Sequence, residues 1–156
     1  MKKLVLLSSI LLSVFFVKAQ TVASFNSIKI KKVPKSVIQS FKSMTNGASA
    51  ENWGVYNNRY QATLKKDNSI KYYHFNDEGL YVETLTLKDW DEAPKKLKEG
   101  KTKIQQKYWD VKEFYERETD KGDVSYILVL ENDKKKLNTV YFDYEGLMFK
   151  KSLSGY

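Results

Sequence analysis

Phe75-Asn76-Asp77-Glu78-Gly79-Leu80 and Phe142-Asp143-Tyr144-Glu145-Gly146-Leu147, 67 residues apart, decide how this chain is read. In each, a run containing aromatics ends in a polar turn whose glycine suits a hairpin position of positive φ, which a residue without Cβ reaches freely. Asn76, Asp77 and Asp143 favour turns because their short side chains bond to nearby backbone. Two further landmarks repeat in the same order. Val33-Pro34-Lys35 matches Ala93-Pro94-Lys95, and Tyr60-Gln61-Ala62-Thr63-Leu64 matches Tyr126-Ile127-Leu128-Val129-Leu130. The spacing grows from 60 to 67 residues along the chain, as longer turns in the second half would produce. Self-similarity of this kind implies one supersecondary unit written twice.

Each unit reads as a helix followed by four strands. Proline is tolerated at a helix start because its missing N–H has no intrahelical partner there. Behind Pro34, Val37, Phe41 and Met44 recur at helical spacing, and Asn46-Gly47 ends the helix. Behind Pro94, Leu97, Ile104 and Tyr108 form the corresponding stripe, with Gly100 as an interruption. Alternation and turn chemistry predict strands over 50–56, 59–65, 70–76 and 80–87, then over 111–119, 124–131, 137–143 and 147–153. Short connections make consecutive strands antiparallel neighbours. The class is α+β: two tandem helix-plus-four-strand antiparallel repeats, 33–91 and 92–156, form one larger sheet with the helices on one face. Tyr73, Phe75, Val140 and Phe142 are expected beneath the helices. Tyr72 and His74 in one unit, and Thr139 and Tyr141 in the other, are expected on the opposite face.

The N-terminus carries an address. Met1-Lys2-Lys3, an apolar run over 4–17, and Val17 and Ala19 at the positions a peptidase reads make up a secretory signal over 1–19. The run is too short for a spanning helix, so cleavage after Ala19 and a periplasmic or secreted domain without membrane insertion are expected. Residues 20–32 are a linker or an added edge strand. The chain has no cysteine, which removes both a lipid anchor at the cleavage point and disulfide staples. About 137 residues remain, enough for a self-sufficient core.

The formal charge of +8 falls to about +5 without Lys2, Lys3 and Lys18. The lysines are scattered at turns and helix edges instead of gathered into a stripe, so nucleic acid is not an expected partner. Catalytic material is scarce. There is one histidine, His74, and no Gly-x-Ser-x-Gly elbow, and zinc would need several His or Cys ligands. Asp89, Asp91 and Glu92, and likewise Asp143 and Glu145, lack the spacing of a calcium loop and read as turn and helix-start residues, with Asp91 as a cap before Pro94. No cofactor and no metal are expected. Eleven Tyr, eight Phe and three Trp leave aromatics available for an interface.

Val33-Pro34, Trp53, Tyr60, Phe75-Asn76-Asp77-Glu78-Gly79 and their second-half counterparts resemble the PepSY-like periplasmic proteins of Bacteroidetes, described as β-lactamase-inhibitor-like. The resemblance spans 33–153 and implies the tandem fold of the β-lactamase inhibitor protein, which grips its enzyme through an exposed sheet face. The chain has neither that inhibitor's cysteines nor a stretch matching its inhibitory loops, so the fold is what carries over. The expected function is therefore a non-enzymatic binding module, inhibitor-like in architecture, that engages an unidentified protein or peptide. Its candidate contact residues are Tyr72, His74, Thr139 and Tyr141 on the open face, with Trp90 and Trp109 at the seam between the units. The alternative is a small-ligand carrier or enzyme with its site at that seam, near the two tryptophans and the neighbouring carboxylates.

Overall fold

A helix headed by proline and a hairpin closed by glycine meet in each half of the chain, and these contacts set the architecture. The computed structural model describes residues 28–29 and 32–151; the expected signal segment lies outside them. The elements run β1 (Ile28–Lys29), α1 (Lys35–Met44), β2 (Asn52–Tyr56), β3 (Arg59–Lys66), β4 (Ser69–Phe75) and β5 (Tyr81–Lys88). A 3-10 turn (Trp90–Glu92) and α2 (Lys95–Thr102) follow, then β6 (Asp110–Thr119), β7 (Val124–Glu131), β8 (Leu137–Asp143) and β9 (Met148–Lys151). The strands form one antiparallel sheet in strict sequence order, β1 to β9. The N-terminal segment supplies its first edge, with Ile28 opposite Val55.

Turn chemistry accounts for that order. Asn57-Asn58 and Asp67-Asn68 all take positive φ, between 46° and 64°, and close two-residue hairpins whose twist matches the strands. Four longer turns share another device. Side-chain oxygens of Asn76, Thr119, Asn132 and Asp143 each accept from the N–H groups two and four residues on. The residue three positions on takes positive φ: Gly79, Gly122, Lys135 and Gly146. At Lys135 a side chain occupies a conformation that the other three turns give to glycine.

Both helices lie on one face of the sheet. α1 buries Val37 and Phe41 completely against Ala62 and Phe75, with Trp53 and Tyr73 edge-on to the Phe41 ring at 5.4 Å. Burying each such side chain contributes about 1.5–3 kcal/mol. Met44 does not join this face; it is exposed, because Thr45 caps the last turn by donating its hydroxyl to the Phe41 carbonyl and Gly47 then turns the chain away. α2 buries Leu97 against Phe114, Leu128, Leu130, Val140 and Phe142.

The second helical stripe is shorter than its spacing suggests. α2 stops at Thr102, where the Lys103 N–H bonds to Gly100, and Lys101 Nζ donates to the carbonyls of Lys107 and Trp109 to fold the chain back. Ile104 is buried in the turn that follows, and Tyr108 is 86% exposed. Gly100 is not an interruption. It lies inside the helix, where any Cβ would overlap the Gly146 carbonyl oxygen, while Gly146 itself presses on the backbone of Lys96 and Leu97. In the first half the approach is looser, a Cβ on Gly79 coming to 3.0 Å from Ser36 and Val37. Asp89, not Asp91, is the cap in the connection, its carboxylate accepting from the Asp91 N–H at 3.0 Å. It can do so because the 3-10 turn begins at Trp90, one turn before α2.

Gly100→Ala should therefore destabilise the domain by about 2 kcal/mol or more, although alanine is the better helix former. A surface control, Lys103→Ala, should change stability by less than about 0.5 kcal/mol. Chemical denaturation of the two variants checks this, and a neutral or stabilising Gly100→Ala would contradict the packing of helix on hairpin.

Candidate functional site

The sheet face away from the helices carries its own cluster. Leu85, Tyr115, Ile127 and Val129 are buried there, with Tyr56, Tyr72, Leu87, Leu137 and Tyr141 packed around them. Tyr72 and Tyr141 thus stand on the open face, as alternation predicts, but half-buried. Thr139, opposite Val129 and next to the helix-side Val140, shares that face. His74 is on it too, yet fully buried: the Tyr56 ring stacks over it at 5.6 Å. Its expected exposure fails because a long aromatic from β2 lies across the shorter imidazole. Trp90 and Trp109 are elsewhere. They pack against the helix-side core, where Trp90 meets Phe114 edge-on at 5.8 Å.

Register explains what surrounds His74. Gln61 on β3 lies opposite His74 on β4, which lies opposite Glu83 on β5. Their side chains form a row: Gln61 Oε1 is 2.9 Å from His74 Nε2, and His74 Nδ1 donates to Glu83 Oε1 at 3.0 Å. Either orientation of the Gln61 amide completes its bond, donating to a neutral ring or accepting from a charged one. Two arginines close on the same carboxylate. Arg59 Nη1 donates to Oε1 at 2.8 Å and Arg117 Nε to Oε2 at 2.6 Å.

Glu83 is one-tenth exposed. Burial alone would raise its pKa, but the hydrogen bonds from His74 and Arg117 and the charges behind them outweigh burial and lower it to about 2. Beside this group Tyr115, buried and donating to Glu113 at 2.7 Å, has its phenol pushed well above the ordinary value, by burial first and then by that carboxylate. Burial likewise raises Tyr56, Tyr72 and Tyr141, so all are neutral hydroxyls at physiological pH.

Above the row opens a cleft of about 350 Å³, lined by Tyr56, Asn57, Arg59, Glu83, Leu85, Arg117, Ile127, Tyr141 and Phe149. Phe149 is 57% exposed, and its ring rests 6.2 Å from that of Tyr141. Tyr141 is the one residue of the sequence-based set that lines this cleft; Tyr72 and Thr139 lie outside it on the same face. Arg59, Glu83, Arg117, Tyr56 and Phe149 were not singled out by pattern. One available signal was rarity: among 27 lysines and arginines, Arg59 and Arg117 are the two arginines, and His74 is the lone histidine. All three meet at Glu83. Among the described residues, no group of three or more His, Cys, Asp or Glu side chains could hold a metal ion, and no helix is long and apolar enough to cross a membrane.

Comparison with solved structures shows the fold to be that of Bacteroides proteins. A DUF2874 family protein of Bacteroides ovatus ATCC 8483 superposes with a TM-score of 0.69 at 20% identity, over 79% of this chain and 89% of that one. A BLIP-like protein of Bacteroides fragilis NCTC 9343 does so with a TM-score of 0.63 at 16% identity, over 81% and 92%. A third, from Bacteroides eggerthii DSM 20697 and described as a candidate periplasmic protein, gives 0.68 at 15%, over 78% and 88%. No family model matches the sequence, and no curated protein does.

The lowered pKa of Glu83 makes an acid prediction. Its contribution to stability is complete above the ordinary carboxylate value of 4.5 and is lost as pH falls from there towards about 2. The shift corresponds to roughly 3 kcal/mol. Glu83→Gln should therefore be less stable than the parent at pH 7, and the gap between the two should narrow between pH 5 and pH 2. A pH series of urea unfolding reads this directly; a gap that stays constant with pH would refute it.

Proposed function

We propose that this chain is an exported, non-enzymatic binding module that engages a protein or peptide through the open sheet face. In this reading it is a PepSY-like relative of the BLIP-like proteins, built from two tandem repeats over 33–91 and 92–156 behind a signal peptide over 1–19. The observation that carries the proposal is the cleft between Tyr56, Tyr141 and Phe149, where half-buried and exposed aromatics stand beside Glu83 and the two arginines hydrogen-bonded to it. Rings held in place lose little conformational entropy when a partner covers them, and interface anchors are commonly of this type. The BLIP-like and periplasmic descriptions of structural neighbours support both the class and the compartment.

Within this reading the contact residues divide. Tyr141 and Phe149 are anchors, Tyr72 and Thr139 extend the face, and His74 works from beneath by holding Glu83 and Gln61 in register. Trp90 and Trp109 serve the core, so a ligand or catalytic site at the seam loses the residues that suggested it.

Tyr141→Ala with Phe149→Ala should weaken capture of the native partner at least tenfold in pull-downs from the source organism's periplasmic and culture fractions. Tyr108→Ala with Tyr144→Ala, exposed aromatics that do not line the cleft, should leave capture unchanged. Equal capture by the first pair and the parent would remove the cleft from the proposal.

A further inference from the structure

The arginines say what the cleft takes. A chain that meets nearly every need for positive charge with lysine places both of its arginines, 58 residues apart in sequence, on one carboxylate at one cleft. Lysine would neutralise Glu83 as well as arginine does. Arginine adds a planar fork of donors that a single bond does not exhaust. Arg59 reaches Glu83 through Nη1 and Arg117 through Nε, and these are the bonds of the two side chains among the described residues. Nη2 of Arg59 and both Nη groups of Arg117 are left to donate. The side chains are 39% and 29% exposed, so those donors are within a ligand's reach.

Charge sets the ligand class. Two guanidinium groups face one ionised glutamate, leaving one positive charge uncompensated inside a cleft with aromatic and aliphatic walls. Resting on the binding-module reading above, the geometry points to a singly charged, planar carboxylate as the group recognised there: an Asp or Glu side chain of a protein partner, next in sequence to an aromatic or aliphatic residue that covers Phe149 and Tyr141. A carboxylate matches both the single excess charge and the paired donors of a guanidinium. A phosphate dianion would bring one more negative charge towards Glu83 than the arginines balance. The charge of about +5 that remains without Lys2, Lys3 and Lys18 steers an acidic partner in the same direction. Glu83 then acts as a positioning residue, fixing both arginines before the partner arrives.

The test uses the unaltered, purified chain labelled with nitrogen-15, titrated with three probes: acetyl-Phe-Asp-amide, acetyl-Phe-Asn-amide and phenyl phosphate. Two arginine Nε–H signals exist, so each is assigned by one substitution, Arg59→Lys or Arg117→Lys. The expected result is saturable movement of both signals with the Asp probe at millimolar concentration, at least tenfold weaker binding of the Asn probe, and at least fivefold loss in either lysine variant. Equal binding of the Asp and Asn probes, or tighter binding of phenyl phosphate, overturns carboxylate recognition, as does no movement with any probe. Partner capture that needs Tyr141 and Phe149 but survives Arg59→Lys and Arg117→Lys would also overturn it, while leaving the binding module standing. Loss of dependence on the aromatics would bring down that broader reading instead.

Discussion

One buried carboxylate holds the middle of this sheet together. Glu83 accepts from side chains on β3, β4 and β6 while sitting on β5, and so ties four consecutive strands through a single charge. Arg59 and His74 belong to the hairpins that follow α1, whereas Arg117 belongs to the strand that follows α2. On the open face the junction of the two halves joins this ion cluster to the apolar contacts of Leu85, Leu87 and Tyr115, while on the helix face it sets Thr84 opposite Glu118 and Thr86 opposite Glu116. A buried charge is tolerable only when its partners are complete; here the two carboxylate oxygens accept three bonds. Removing any one partner would leave a group that cost much to desolvate and has lost part of its compensation.

The helix face was largely legible from sequence, and the reason is local. Pro34 and Pro94 stand at their helix caps with identical backbone angles, φ −55° and ψ 143°. Asn57-Asn58, Asp67-Asn68 and the Phe-x-x-x-Gly turns announce hairpins through residues that accept positive φ or bond to their own backbone. Such features act over five residues or fewer, a range that inspection of a single chain can resolve. The placement of Phe75 and Phe142 beneath the helices followed from alternation away from those turns.

The open face was only partly legible, because alternation fails where a strand bulges. Register shifts occur between His74 and Phe75 and between Val111 and Glu113. Around the first, Tyr81 and Thr84 share the helix side although three positions apart, their hydroxyls bonded at 2.9 Å, so no period-two reading starting at Leu80 finds Glu83. The burial of His74 was also out of reach, since it depends on Tyr56 reaching across from two strands away. Gly100 was misread for a related reason: the Gly146 carbonyl it must accommodate lies 46 positions downstream. Helix propensity at a glycine says nothing of backbone arriving from that distance.

The strict strand order has a kinetic side. Each strand pairs with its neighbours in sequence, so nearly every pairing closes a short loop, and loops of a few residues cost little entropy. Folding is fastest where contacts are local in sequence. Two closures are long, the passage from Lys29 to Asn52 through α1 and that from Lys88 to Asp110 through α2, after which β6 must find β5. Glu83 and Arg117 sit on the two strands that must meet there, so their opposite charges favour the correct side-by-side approach before any apolar surface has been buried across it.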